Sequence, residues 1–316
     1  MQHYLDQAAA YAAKQLDGSG FLNWLLPGIL TQRRLSHWLD TRAIALPGEP
    51  DRRCDTVAGL EHATGQVSPE ALVIEFKDRA RGMPALEQLA EYALRIHREV
   101  PVQADLADRF AVGSVLVNLT GVQAVKVLVL QASALRNAQL KFKPVIRDLE
   151  TRSGCAALRG IAAGRLSRCV LAWIPLLRGG QESAIIQRWK RLAETEADER
   201  KRSDYAALAL VFAEAADREE VWRRALEGWN VKPSPIVEAW RQEGRQEGRA
   251  EGLAVLRAKL LHCLRRQLGS DLPAELRAQI ENQTDLAVLD RWFDLALEAA
   301  SLEQFRAALP PTANGQ

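Results

Sequence analysis

The 316-residue chain carries 42 Lys+Arg against 40 Asp+Glu, a formal net charge of +2, so no global field would gather a polyanion and any nucleic-acid contact must come from a local patch. With 47% hydrophobic and 26% charged residues, the composition is globular, and the length suits one large domain or two ordinary ones. Four scattered cysteines, Cys54, Cys155, Cys169 and Cys263, form no CxxC pair, which argues against a zinc site or a disulfide framework.

In chain order, residues 1–48 read as helical, with Phe21, Leu22, Trp24, Leu25, Leu26 and Ile29 making an apolar face that Pro27-Gly28 interrupts. The first 15 residues lack a charged stretch leading into an apolar one, so no secretory leader is expected and a cytoplasmic location is. After the break at Pro47-Gly48-Glu49-Pro50, residues 53–60 read as a strand, 62–69 as a loop and 71–77 as a second strand. Pro84 suits the first turn of a helix, and Leu86, Leu89, Ala90, Ala93, Leu94 and Ile96 recur at helical spacing up to Pro101. Residues 114–119 and 143–149 read as further strands. The order implies a mixed α/β domain with a small central sheet flanked by helices.

From about residue 155 the pattern is helical. The longest strongly apolar run, residues 169–177, is short and holds Pro175, so no membrane span is expected. Residues 188–202 are highly charged, 205–216 apolar and 221–229 amphipathic. Lys232-Pro233-Ser234-Pro235 marks a joint, followed by the repeat Arg241-Gln-Glu-Gly, Arg245-Gln-Glu-Gly, Arg249-Ala-Glu-Gly. Gly244, Gly248 and Gly252 fall on one helical stripe, which would let another helix approach and suggests homo-oligomer formation through this region. Helices are expected over 253–268, 273–280 and 286–309. The domains expected are 1–150, a helical extension over 151–240, a repeat helix or linker over 241–252, a small helical domain over 253–309, and a frayed tail over 310–316.

The strand over 71–77, Ala-Leu-Val-Ile-Glu-Phe-Lys, alternates. Side chains two apart on a strand share a face, so Glu75 and Lys77 are offered together with Val73, while Leu72, Ile74 and Phe76 face a core. A neighbouring strand can bring Asp55 alongside. Asp55, Glu75 and the Phe76 backbone carbonyl would make an all-oxygen site of the kind Mg2+ prefers, with Mn2+ an alternative. Lys77 would orient or deprotonate water, or stabilise charge on a phosphate. The only other Glu-x-Lys, Glu199-Arg-Lys201, lies in a charged helical stretch where positions two apart do not share a face.

The segments Cys54-Asp-Thr-Val-Ala, Leu72-Val-Ile-Glu-Phe-Lys77 and Leu86-Glu-Gln-Leu-Ala-Glu-Tyr-Ala-Leu-Arg-Ile-His97 together resemble the PD-(D/E)XK nuclease superfamily. Within it the chain is similar to the transposase-like proteins of the recombination-promoting nuclease (Rpn, YhgA-like) group, with Gln88 and Tyr92 matching a Gln-x-x-x-Tyr pattern on the following helix. Ile174-Pro-Leu-Leu-Arg-Gly-Gly180 and the Arg-Gln-Glu-Gly repeats resemble the helical tails of that group. The resemblance implies a restriction-endonuclease-like fold and a metal-dependent DNA endonuclease linked to transposition or recombination. It makes Asp55, Glu75 and Lys77 catalytic, and Gln88 a polar contact to substrate or to a metal's water. Cys54 stands where the superfamily's name has Pro. No acidic residue of the first helical region stands out as a further metal ligand, Asp17 and Asp40 being candidates by elimination.

Tyr92, Arg79 and Arg81 are candidate substrate contacts, and His62 a weaker one. The alternative reading is a catalytically inactive nuclease-like scaffold acting through helical protein–protein contacts, which the neutral charge and the large helical half favour. An RNA-directed nuclease is a third, since no residue reports on a 2′-hydroxyl.

Overall fold

The computed structural model describes residues 2–39, 56–63, 70–79, 81–99, 111–131, 139–229, 235–268, 272–299 and 301–309. Two compact units form, Gln2–Trp240 and a second one beginning at Arg241.

In the first unit, α1 (Gln2–Tyr11) runs into a π-helical turn over Ala12–Leu16, and α2 (Gly18–Leu25) follows at once. Asp17 makes that junction. Its Oδ1 accepts from Gly20 N at 2.9 Å, capping α2, and its Oδ2 accepts from Ser167 Oγ at 2.6 Å. A Cβ at Gly20 would collide with Asp17 and Ser167, so glycine alone fits there.

The central sheet has the order β1 (Arg33–Trp38), β2 (Thr56–His62), β3 (Glu70–Lys77), β4 (Ala111–Asn118) and β7 (Val145–Asp148). β1 and β2 pair antiparallel, as do β2 and β3, whereas β3, β4 and β7 run parallel. The change of direction falls at α3 (Met83–Glu99), which carries the chain from the end of β3 back to the start of β4. A separate hairpin joins β5 (Leu128–Gln131) to β6 (Gln139–Phe142).

The sheet is covered on both faces. On one, Val57, Ala71, Val73 and Leu116 pack with Leu86, Leu89 and Tyr92 of α3. On the other, Leu72, Ile74, Phe76, Val115 and Val117 join a larger core with α1, α2 and the helices that follow β7. Those are α4 (Gly154–Ala162), a 3₁₀ segment over Arg168–Leu176, α5 (Ser183–Glu194), α6 (Glu199–Ala215) and α7 (Glu219–Ala225). Trp173 is the hub of this face. Its ring lies 4.9 Å from that of Phe212, 5.2 Å from Phe21 and 5.9 Å from Phe76, all stacked. Arg147 Nε donates to Leu25 O at 2.8 Å and an Arg152 nitrogen to Trp24 O at 2.7 Å, fastening the end of α2. The Arg152 guanidinium also lies 4.4 Å over the Trp24 ring. Burial, reinforced by the neighbouring Arg147 charge, lowers the Arg152 pKa to about 10.

The structure thus supports an α/β unit and a separate helical C-terminal part. It departs from the sequence reading in three places. Residues 33–38 are a strand, not part of a helical N-terminal region. The β5–β6 hairpin was not anticipated. The core on the Trp173 face runs without a break from Leu5 to Leu226, across the boundary drawn at residue 150.

The second unit holds α8 (Pro235–Leu268) from Arg241 onward, and this helix carries the Arg-Gln-Glu-Gly repeat. Leu253, Leu260 and Leu264 of α8 pack with α9 (Ala274–Asn282), α10 (Leu286–Glu298) and α11 (Leu302–Ala308), around Ile280, Trp292 and Phe305. Gly252, last of the glycine stripe, has Leu286 of α10 within 3.5 Å of where a Cβ would sit, so this chain itself occupies the stripe there. Among the described residues no helix is long and apolar enough to cross a membrane.

Candidate functional site

β3 is buried along nearly its whole length, because it is central in the sheet and covered on both faces. Its alternation sorts the side chains as the sequence reading expects. Leu72, Ile74 and Phe76 enter the Trp173 core, while Ala71 and Val73 face α3, so the same parity turns Glu75 and Lys77 toward the α3 face. Glu75 is 1% exposed and Lys77 6%. Lys77 Nζ donates to Glu75 Oε1 at 2.7 Å. Two opposite charges are therefore held out of water on a strand whose other buried residues are apolar. Desolvating such a pair costs several kcal/mol per ion, and mutual attraction does not reliably repay it, so apolar residues of similar size are often at least as stable. The pair is poorly explained by stability.

On α3, Gln88 and Tyr92 stand one turn apart, and Gln88 Nε2 donates to Tyr92 Oη at 2.9 Å. Tyr92 is buried and Gln88 half-buried. Beyond β3, Arg79 is exposed and Arg81 pairs with Asp78 at 3.3 Å. A surface pair of that kind is weak and screened, so Arg81 can exchange Asp78 for another anion. Asp55 and Asp40 lie outside the described residues. Asp17 is committed to capping α2 and to Ser167, which removes it as a metal-ligand candidate. His62 ends β2.

Sequence reasoning missed a polar cluster at the carboxyl ends of the parallel strands. The register sets Lys77 beside Asn118, and Asn118 beside Asp148. Asn118 is fully buried, and its Nδ2 donates to Asp148 Oδ1 at 2.6 Å. The same Asp148 oxygen accepts from Gln123 N at 3.1 Å. Gln123 also brackets Gly82, with Oε1 accepting from Gly82 N at 3.2 Å and Nε2 donating to Gly82 O at 2.7 Å. Thr120 Oγ donates to Asp78 O, and Gly121 N to Glu150 Oε2 at 3.0 Å. The loops after β3, β4 and β7 are thereby tied into one rim. The carboxyl ends of parallel strands are where open α/β sheets place ligands. Asn118 Oδ1 has no hydrogen-bond partner among the described residues, a state that costs on the order of 1–3 kcal/mol for a buried acceptor. The one signal in sequence was an Asn closing the apolar run Ser114-Val-Leu-Val-Asn-Leu119.

Among the described residues, no three His, Cys, Asp or Glu side chains gather as a metal-binding group. The β3 donors, a Glu75 carboxylate and the Phe76 carbonyl, are hard oxygens of the type Mg2+ accepts while keeping several waters. Among the described residues these two donors do not complete a cation site, and a second carboxylate is required. No family model, curated protein or solved structure matches this chain.

Proposed function

We propose that the chain is a metal-dependent DNA endonuclease of restriction-endonuclease-like fold, hydrolysing phosphodiester bonds at the α3 face of β3. The observation that carries the reading is the Glu75–Lys77 pair, buried and 2.7 Å apart on the central strand. Such a pair is costly as a structural element and apt as a reactive one. Asp55 directly precedes Thr56, whose partner across the β2–β3 ladder is Ile74, the residue before Glu75. The second carboxylate of the proposed site is the one the sequence motif supplies, Asp55, which lies outside the described residues.

Glu75, Asp55 and the Phe76 carbonyl would hold the ion. When bound, Mg2+ supplies Lewis-acid polarisation of a phosphate oxygen and eases deprotonation of water. Lys77 holds its ammonium at the site, where it offsets charge building on the phosphate and orients the attacking water. Gln88, tethered to Tyr92, offers a polar contact from α3 to substrate or water. Arg79 and Arg81 approach the phosphate backbone from the loop after β3, supplying the local basic surface that a nearly neutral chain requires. A role in transposition or recombination follows from the resemblance of the β2, β3 and α3 motifs, and a cytoplasmic location from the absence of a leader-like pattern in the first 15 residues.

Incubation of purified full-length protein with supercoiled plasmid tests this. Nicking in Mg2+ that EDTA and Glu75→Gln each abolish supports the nuclease. A folded protein that leaves the plasmid intact in Mg2+ and in Mn2+ contradicts it, and favours a scaffold acting through its helical surfaces.

A further inference from the structure

A nearly neutral chain that handles DNA needs a local basic surface, and Arg79 and Arg81 alone make a small one. The β5–β6 hairpin enlarges it. Residues 119–147 hold no Asp or Glu but five basic residues, Lys126, Arg136, Lys141, Lys143 and Arg147. At the chain's frequency of 40 acidic residues in 316, about four would be expected there. Arg147 is committed to Leu25 O, and Arg136 lies outside the described residues. Lys126, Lys141 and Lys143 are all exposed, and among the described residues none of them is held in an ion pair. The ladder pairs Leu128 with Phe142 and Val129 with Lys141, and this register brings Lys126 and Lys143, just outside the strands, to the same end of the hairpin. That end is anchored, because Leu128 is buried and Phe142 packs on the core that β3 shares with α3. The hairpin therefore lies on the sheet face to which Glu75 and Lys77 turn. Toward the turn the same side of the ribbon leaves the core, for Leu130 and Leu140, directly opposite each other, are exposed. A two-stranded ribbon has little stability of its own, so one that outruns its core and carries only positive charge is poorly explained as a packing element.

We propose that the β5–β6 hairpin is an arm that binds duplex DNA, with Lys126, Lys141 and Lys143 contacting phosphates. The choice of DNA among polyanions rests on the nuclease reading. A two-stranded antiparallel ribbon is narrow enough to enter the major groove, about 12 Å wide. Lysine meets phosphate as a point charge and reads no base, so binding is largely independent of sequence. Val129, Leu130 and Leu140 offer apolar surface to thymine methyl groups in the groove. A second copy of the chain is a poorer occupant, because hairpin against hairpin sets like charges together.

The test is fluorescence anisotropy of a short labelled DNA duplex titrated with the full-length protein, in EDTA and over a range of KCl concentrations. Wild type is compared with a triple variant, Lys126→Ala, Lys141→Ala and Lys143→Ala. A control triple, Arg159→Ala, Arg165→Ala and Arg191→Ala, removes the same charge from exposed positions in and around α4 and α5, on the Trp173 side. For wild type, log affinity should fall linearly with log salt. The lysine triple should lower that slope by roughly two to three, about 0.9 for each phosphate contact removed, and weaken binding alike on duplexes of different sequence. The control triple should match wild type. Thermal unfolding confirms that each protein is folded. If the lysine triple is not, Lys141→Gln alone should lower the slope by about one. An equal loss in both triples would make this an effect of net charge and overturn the proposal, as would unchanged binding by the lysine variants. A wild-type protein that does not bind the duplex at low salt also overturns it, whether or not it binds vesicles containing phosphatidylserine. The nuclease reading fails separately. Lysine-dependent binding without plasmid nicking keeps the arm and loses the catalytic site, whereas nicking with unaltered binding in the lysine triple does the reverse.

Discussion

Replacing Lys77 by Met leaves the Glu75 carboxylate, 1% exposed, without the ammonium now 2.7 Å away. Breaking a buried pair from one side costs about 3–5 kcal/mol, because the remaining charge is left in low dielectric. For a unit the size of Gln2–Trp240, that corresponds to a fall in Tm on the order of 10 °C. Glu75→Leu should behave in the same way. The double variant, Glu75→Leu with Lys77→Met, removes both charges and keeps similar volume on a strand whose neighbours are apolar, so its stability should equal or exceed that of wild type. Thermal and urea unfolding followed by tryptophan fluorescence will read this, since Trp173 stacks on Phe76 of the same strand, 5.9 Å between ring centroids. The expected pattern is two destabilised single variants and a stable double one, a strong coupling between the sites. If the double variant is as unstable as either single, the pair contributes net stability, and the argument that it is kept for chemistry fails.

Two further outcomes follow from the surrounding structure. Asp17→Ala removes both the α2 cap and the Ser167 contact, and should lower the urea-extrapolated stability by about 1–3 kcal/mol at constant m-value, with Asp17→Asn keeping most of it. A change under about 0.5 kcal/mol would contradict the capping role. Burial, opposed in part by the Ser167 hydrogen bond and aided by the Asp17 charge, pushes the Cys169 thiol up from 9.0 to about 12. A raised folded-state pKa means that this contribution is complete below pH 9 and is lost as the pH climbs toward 12. Stability should therefore fall across that window less steeply in Cys169→Ala than in wild type. An identical slope in the two proteins would contradict it.

Legibility in the sequence varied with the range of the interactions involved. β3 and α3 were readable because their evidence is local. Alternation over residues 71–77, Pro84 in the first turn and apolar positions at helical spacing all sit within one element. β1 was not, since Arg33-Arg-Leu-Ser-His-Trp38 has no clean apolar alternation. It is a strand because β2 pairs with it, aided by Arg33 donating twice to Glu70, at 2.6 and 2.8 Å, and by Arg34 and Ser36 bonding Glu61. The β5–β6 hairpin escaped because Val129, Leu130 and Leu140 remain exposed, 44%, 53% and 48%, against the pattern expected of a buried strand. The apolar stretches around Phe21, Trp173 and Phe212 were legible, but not that these three rings are buried on one another. The same limit applied at the site. Glu75 and Lys77 are two residues apart and share a face by strand geometry alone. The parallel register alone sets Asn118 beside Lys77, and Asp148 beside Asn118, which no local spacing encodes.

The most direct test of the central claim is Mg2+-dependent nicking of supercoiled plasmid by wild type beside the Glu75→Leu, Lys77→Met double variant. That variant is expected to fold at least as well as wild type, so lost activity cannot be charged to lost structure. Nicking by wild type in Mg2+, absent in EDTA and absent from the double variant, is the predicted result. Equal nicking by both proteins would place the chemistry elsewhere and contradict the account.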